Sequence, residues 1–188
     1  MRIFWSLGYE ATSMADIRVG LGITQASLYA AFGGKEQLFR EAVDLYRQTA
    51  GLSTARALAL GSTAREAIRS MLRAAADAYT ESGTPRGCLV ILGAINCVTE
   101  NKAIQAHLSS IRHQVAQSIL DRLKQGQFDG DVPKGAPINA LATYYSTILQ
   151  GMALQARDGT SRKTLIQVVE FAMANWQQNV GSAAPGGS

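Results

Sequence analysis

Four prolines in 188 residues, two cysteines, two histidines and only 17% charged residues leave this chain short of the usual marks of several protein classes. With so little proline, few positions force a helix to stop, and the Ala- and Leu-rich segments favour helix throughout. An all-α fold is the expectation. The longest apolar stretch, Cys88 to Ile95, falls far short of the roughly 18 to 20 residues that cross a bilayer. The opening MRIFWSLGYE lacks the apolar core and small-residue cleavage site of a signal peptide. No membrane partner is expected, and the cytoplasm is the default location.

Two cysteines cannot build a disulfide scaffold. If Cys88 and Cys97 lie on one helix they are about 13 to 14 Å apart on opposite faces, beyond the roughly 7 Å that a bridge spans. Only a break at Gly93 would bring them together, so buried, inert thiols are expected. Arg86, beside Cys88 at a helix start, is the one feature that would lower a thiol pKa and suit it to sensing electrophiles. His107 and His113 lack the three- or four-residue spacing of two ligands on one helical face, and no nearby carboxylate or cysteine completes a metal site. No Ser-His-Asp order, phosphate-cradling glycine motif or acid pair stands out. Neither an enzyme nor a metal or other cofactor is indicated.

What is present centres on Ser13 to Lys35, SMADIRVGLGITQASLYAAFGGK. Ser13 with Asp16 has the form of a capping box, opening a helix through Met14, Ala15 and Ile17. Gly20 and Gly22 let that helix end in a left-handed turn, and Thr24 caps a second helix to Ala31. Ile17, Leu21, Ile23 and Leu28 are expected to share a small core. Gln25, Ala26, Ser27 and Tyr29 then occupy the opening of the second helix, where a recognition helix presents side chains to the major groove. Gln pairs with adenine, Ser reaches a base edge or phosphate, and Ala meets a thymine methyl. Tyr29 suits a phosphate, and Lys35, at the mouth of the next helix, adds a cation beside free N–H donors.

On Gly8-Tyr9, Thr12-Ser13, Leu21-Gly22-Ile23-Thr24, Ser27-Leu28-Tyr29, Phe32, Lys35-Glu36 and Leu38-Phe39, the chain resembles the TetR/AcrR family of one-component transcriptional regulators. The resemblance implies an N-terminal three-helix, helix-turn-helix DNA-binding domain over residues 1–47, with DNA contacts from Ser13, Met14, Thr24, Gln25, Ala26, Ser27, Tyr29 and Lys35. It further implies an effector-binding and dimerisation domain over 48–180, and a disordered tail over 181–188. Family members usually carry a longer first helix and often a basic arm before it, so the first helix here is expected to be truncated. The first 47 residues are neutral: Arg2, Arg18, Lys35, Arg40 and Arg47 against Glu10, Asp16, Glu36, Glu41 and Asp44. A net charge of +4 over the whole chain is compatible with a polyanionic partner, but affinity for a double-stranded operator must rest on a few placed contacts.

In the second domain, apolar residues at three- and four-residue steps predict one long helix from Lys35 to about Leu60, weakened at Gly51, and another from a capping box at Thr63 and Glu66 to Tyr79. Gly87 to Thr99 reads as an apolar, buried helix, and Asn101 caps the next, which runs to a polar connector over 126–135. Two stripes close the chain: Leu141, Tyr145, Ile148, Leu149 and Met152, then Leu165, Val169, Met173 and Trp176. The resemblance implies that this pair packs against its copy in a homodimer reading a palindromic operator; the alternative is that both stripes face their own core. It also implies an effector pocket, for which Tyr79, Asn96, His113, Gln117, Tyr144 and Gln150 are the polar or aromatic candidates. The shortage of buried charge favours a neutral or apolar small-molecule effector. The expected function is that of a repressor released by this effector. The alternative is a helical small-molecule-binding or interaction module without DNA binding, which the neutral first 47 residues favour.

Overall fold

The computed structural model describes residues 1–181, which form eleven α-helices and one 3-10 turn. In chain order the helices are α1 (Arg2–Ala11), α2 (Met14–Leu21), α3 (Gln25–Phe32), α4 (Lys35–Gln48), α5 (Leu52–Leu60), α6 (Ala64–Thr80), α7 (Leu89–Leu92), α8 (Lys102–Asp129), α9 (Ile138–Arg157), α10 (Arg162–Ala174) and α11 (Trp176–Gly181). Of the expected tail, Gly181 closes α11, and 182–188 lie outside the described residues.

Helix α6 is the axis of the larger part. Its Ala64, Ala67, Ile68, Met71, Leu72, Ala75, Ala76 and Tyr79 are all buried, spaced so that one broad face meets α5, α8, α9 and α10. Thr63 caps it through the Glu66 amide. A second free donor of its first turn, the Ala64 amide, donates to Asp131 at 2.6 Å, so the polar connector after α8 reaches back to complete the cap. The smaller part, α1 to α4, packs on Phe4, Tyr9 and Phe39, whose rings meet edge-on at 5.0 and 5.1 Å, with Ile17 and Leu28 buried beside them. Leu21, expected in this core, is 48% exposed, because α2 ends at that residue and turns it outward.

Four other expectations are corrected. The helix from Lys35 stops at Gln48 rather than continuing to Leu60. Thr49 leaves helical geometry and returns its hydroxyl to the Leu45 carbonyl, and Gly51 donates its amide to Tyr46 at 2.8 Å. A Cβ on Gly51 would lie 2.8 Å from the Tyr46 ring, so the chain passes this close only as glycine.

Residues 87–99 hold a single helical turn, α7, followed by irregular chain from Gly93. The helix therefore breaks at the glycine, and the separation argued for Cys88 and Cys97 along one helix does not apply; both are free thiols. Asn101 caps nothing with its side chain, which instead donates to Glu10.

The two C-terminal stripes face their own core. Leu141, Tyr145, Leu149, Met152, Leu165, Val169, Met173 and Trp176 are all buried within the protomer, and Ile148 is half-buried. A side chain already covered by its own chain cannot be the surface that a second copy covers. The outward faces of the same helices carry Tyr144, Thr147, Gly151 and Leu154 on α9 and Val168 and Phe171 on α10, with Phe171 75% exposed.

Helix α1 joins the two parts. Its turns are interrupted at Gly8 (φ 78°, ψ 176°), a left-handed backbone that glycine adopts without strain. The interruption aims the Tyr9 amide away from its own helix at the Gly93 carbonyl, 2.7 Å away. The Trp5 and Ser6 carbonyls accept instead from the Arg157 guanidinium at the end of α9, at 2.7 and 2.9 Å. Trp5 Nε1 donates to the Gly87 carbonyl at 3.2 Å. Glu10 accepts from the Val98 amide at 3.0 Å and from Asn101 Nδ2 at 2.9 Å. Trp5, Tyr9 and Glu10 of α1 are thus fastened to the 87–101 segment, and Trp5 and Ser6 to Arg157.

Candidate functional site

The helix-turn-helix is built by local chemistry. Ser13 and Asp16 form the reciprocal capping box over the start of α2, Gly22 takes the left-handed conformation at φ 66°, and Thr24 Oγ1 accepts from the Ser27 amide at 3.2 Å to start α3. Only Leu28 of α3 is buried. Thr24, Gln25, Ala26, Ser27 and Tyr29 are exposed together, so the opening turn of α3 presents a continuous polar edge to solvent.

The roles within that edge differ. The Thr24 and Ser27 hydroxyls lie 2.9 Å apart and share the cap, and the Ser13 hydroxyl is engaged by Asp16 at 2.6 Å. Gln25 has no protein partner among the described residues. It borders a shallow cleft with half-buried Met14 and with Ala15, Arg18 and Leu28. Arg18, not among the residues expected to contact DNA, supplies a cation in this cleft. Lys35 is half-buried, its ammonium 4.3 Å from the Tyr9 ring centroid. Burial pulls its pKa below the usual lysine value, and nearby Glu10 opposes that shift.

Beneath the joint between the two parts lies a cavity of about 510 Å³, within the range of small-molecule sites. Its floor is apolar, from Leu58, Met71, Ile91, Ile111 and Leu149. Of the six residues expected there, Tyr79 and Gln150 line it. Asn96 sits exposed in the irregular chain after α7; His113 and Gln117 are on the outward side of α8, Gln117 donating to Asp121; and Tyr144 faces out from α9.

The cavity residues missed by sequence are Tyr46, Cys88, Arg112 and Ser146. They come from α4, the 87–93 segment, α8 and α9, and no single stretch of sequence shows their convergence. Burial pushes the Cys88 thiol up, with the Tyr46 and Tyr79 hydroxyls beside it opposing that shift more weakly, so Cys88 is a poor nucleophile. Tyr46 also meets Trp5 of α1 edge-on at 4.8 Å. One wall of the cavity therefore touches the helix that carries the head.

Residues 1–42 match the family model described as bacterial regulatory proteins, tetR family, and residues 64–170 match the tetracyclin repressor-like C-terminal domain. The chain belongs to the TetR family. It is 32% identical over 182 residues to the HTH-type transcriptional repressor ComR of Escherichia coli (strain K12), covering 96% of this chain and 86% of ComR. With the HTH-type transcriptional repressor BdcR of the same organism it shares 28% identity over 170 residues, 90% of this chain and 81% of BdcR. Among solved structures it is similar to the TetR family transcriptional regulator CifR, a cysteine mutant complexed with 26bp double-strand operator DNA. There the TM-score is 0.90 and the identity 38%, over 93% of this chain and 92% of CifR. In this TetR-family regulator, α1, α2, α3 and the start of α4 fall in the N-terminal match and form the head, and α6 to α9 with most of α10 fall in the C-terminal match. Among the described residues no helix is long and apolar enough to cross a membrane.

Proposed function

We propose that the chain is a dimeric transcriptional repressor whose residues 1–47 bind a palindromic operator and whose residues 48–180 bind a small-molecule effector and a second copy, acting in the cytoplasm. The observation that carries the DNA-binding role is the exposure of Gln25, Ala26, Ser27 and Tyr29 on the opening turn of a capped helix. Gln25 and Ala26 read base edges, while Tyr29, Ser27 and Thr24 position the helix on the backbone. Ser13 and Met14, with the free N–H groups at the start of α2, meet a neighbouring phosphate. Lys35, lifted over Tyr9, adds a cation at the mouth of α4. The operator complex of CifR supports this reading.

Dimerisation uses the outward stripe of α9 and α10, centred on Tyr144, Leu154, Val168 and Phe171. Gly151 lies in that stripe with nothing within 4 Å of where its Cβ would be, which allows a partner backbone to approach closely. Two heads related by a two-fold axis then read half-sites about 34 to 36 Å apart or a multiple of that.

The effector acts from the cavity. Tyr46 and the 87–93 segment form part of its wall, and α1 is fastened to Gly87 and Gly93 of that same segment. A ligand that binds better when the wall moves shifts the head away from operator spacing by its differential affinity for the two arrangements. The test is fluorescence anisotropy with duplexes from the DNA flanking the gene, with and without candidate ligands. Specific binding at moderate salt, lost on adding one ligand, is the expected result. Equal affinity for all duplexes, with the salt dependence of a nonspecific polycation, would overturn the DNA-binding role.

A further inference from the structure

The cavity holds one feature that an apolar pocket does not need. Arg112 projects from α8 into its wall, and one guanidinium nitrogen donates to the Val90 carbonyl at 3.0 Å. The other N–H donors have no protein partner, and no carboxylate pairs with Arg112 among the described residues. On the same lining, the Ser146 hydroxyl is buried and has no hydrogen-bond partner among the described residues. The one acid on the wall, Asp44, is exposed at the rim, where Arg47 accompanies it.

A half-buried guanidinium without a counter-charge is partly desolvated at a cost, and a buried hydroxyl without a partner is unfavourable. Burial accordingly pulls the Arg112 pKa below the usual arginine value. Both groups face the same space as the apolar floor of Leu58, Met71, Ile91, Ile111 and Leu149. A planar guanidinium with free donors matches a carboxylate in geometry as well as charge. The expectation of a neutral or apolar effector rested on a shortage of buried charge, and Arg112 is a half-buried charge on this lining, where Asp44 and Arg47 are exposed.

We propose that the cavity takes a small amphipathic carboxylate, with its anionic head on Arg112 and within reach of Ser146 and its apolar body along the floor. This deepens the effector reading and rests on it for its regulatory consequence, though the binding itself is measured without DNA.

The experiment is calorimetric titration of the full chain with decanoate and phenylbutyrate, and with the neutral partners decanol and decanamide. The acids are expected to bind about ten- to a hundredfold more tightly than the neutral compounds, as a charge-assisted hydrogen bond implies. Arg112→Gln is expected to remove that preference, and Arg112→Lys to restore part of it. Circular dichroism reports whether each variant folds. If Arg112→Gln does not fold, the acid-to-neutral ratio on the unaltered chain decides alone. Equal binding of acids and neutral compounds, no binding of any acid, or an acid preference that survives in folded Arg112→Gln would each overturn the proposal. Operator release is read separately: an acid that binds through Arg112 and leaves DNA affinity unchanged removes the effector reading and keeps the ligand class. A neutral compound that releases DNA while acids do not bind does the reverse.

Discussion

Arg157, the last residue of α9, donates to the Trp5 carbonyl of α1 at 2.7 Å, a bond between residues 152 positions apart in the chain. It stands where the α-helical ladder of α1 would have run, since the Tyr9 amide has turned to Gly93. Replacing Arg157 with Ala leaves the Trp5 and Ser6 carbonyls without that donor and is expected to cost about 1 to 3 kcal/mol. Urea denaturation measures the loss. Amide exchange should quicken in residues 2–11 while the centre of α6 keeps its protection.

At the other end of α1, Glu10 gives the joint a pH dependence. The Asn101 amide, followed by the Val98 N–H, holds the Glu10 carboxyl below the usual glutamate value. The contribution is therefore complete above that usual value, about 4.3, and is lost as the carboxylate protonates below it. As pH falls from neutral to well below about 4.3, the unaltered chain is expected to lose more stability than Glu10→Gln, because only the former gives up an ionised acceptor. Parallel thermal melts across that range measure the difference; parallel curves would show that Glu10 is not the titrating group.

Within the head, Gln25 and Lys35 should fail in different ways. Gln25→Ala is expected to cost about 1 to 3 kcal/mol of operator affinity and to relax discrimination at one base pair. Lys35→Gln should weaken specific and nonspecific duplexes alike and reduce the salt slope by about one. Anisotropy titrations at several salt concentrations separate the two patterns.

The outward and inward faces of α10 make an equally sharp pair. Phe171→Glu is expected to weaken self-association on the order of tenfold or more while leaving the fold intact, since this side chain touches little of its own protomer. Leu165→Ala, buried in the core, is expected to cost about 2 to 5 kcal/mol of stability with less effect on the dimer of the folded chain. Light scattering after size exclusion, paired with denaturation, distinguishes the outcomes.

Where the sequence was most readable, the determining chemistry is local. Ser13 with Asp16 and Thr24 with Ser27 lie three residues apart, so their caps follow from residue type and spacing alone. Gly87 to Thr99 reads as one helix in the sequence but holds only α7, because a mostly apolar stretch has no clear period to reveal where it bends, although Gly93 allows a break. Its irregular half is held by Glu10 and Tyr9, more than eighty residues earlier. The stripes on α9 and α10 are legible, and of the two covers they allow, a second copy or their own chain, the structure shows their own chain. Periodicity identifies a face to be covered and is silent on whether the cover is the same chain or another. The cavity was least legible, because Tyr46, Tyr79, Arg112 and Ser146 become neighbours only after four helices have packed.

The interruption at Thr49 to Gly51 bears on how a message crosses the molecule. An unbroken rod from Lys35 to Leu60 would have dragged a large share of the lower bundle with every tilt of the reading head. Under the proposed effector role, a rod that ends at Gln48, with Tyr46 against both Trp5 and the cavity, would act as a short crank. A small guest would then need to displace one aromatic ring, and the scaffold around α6 would stay still.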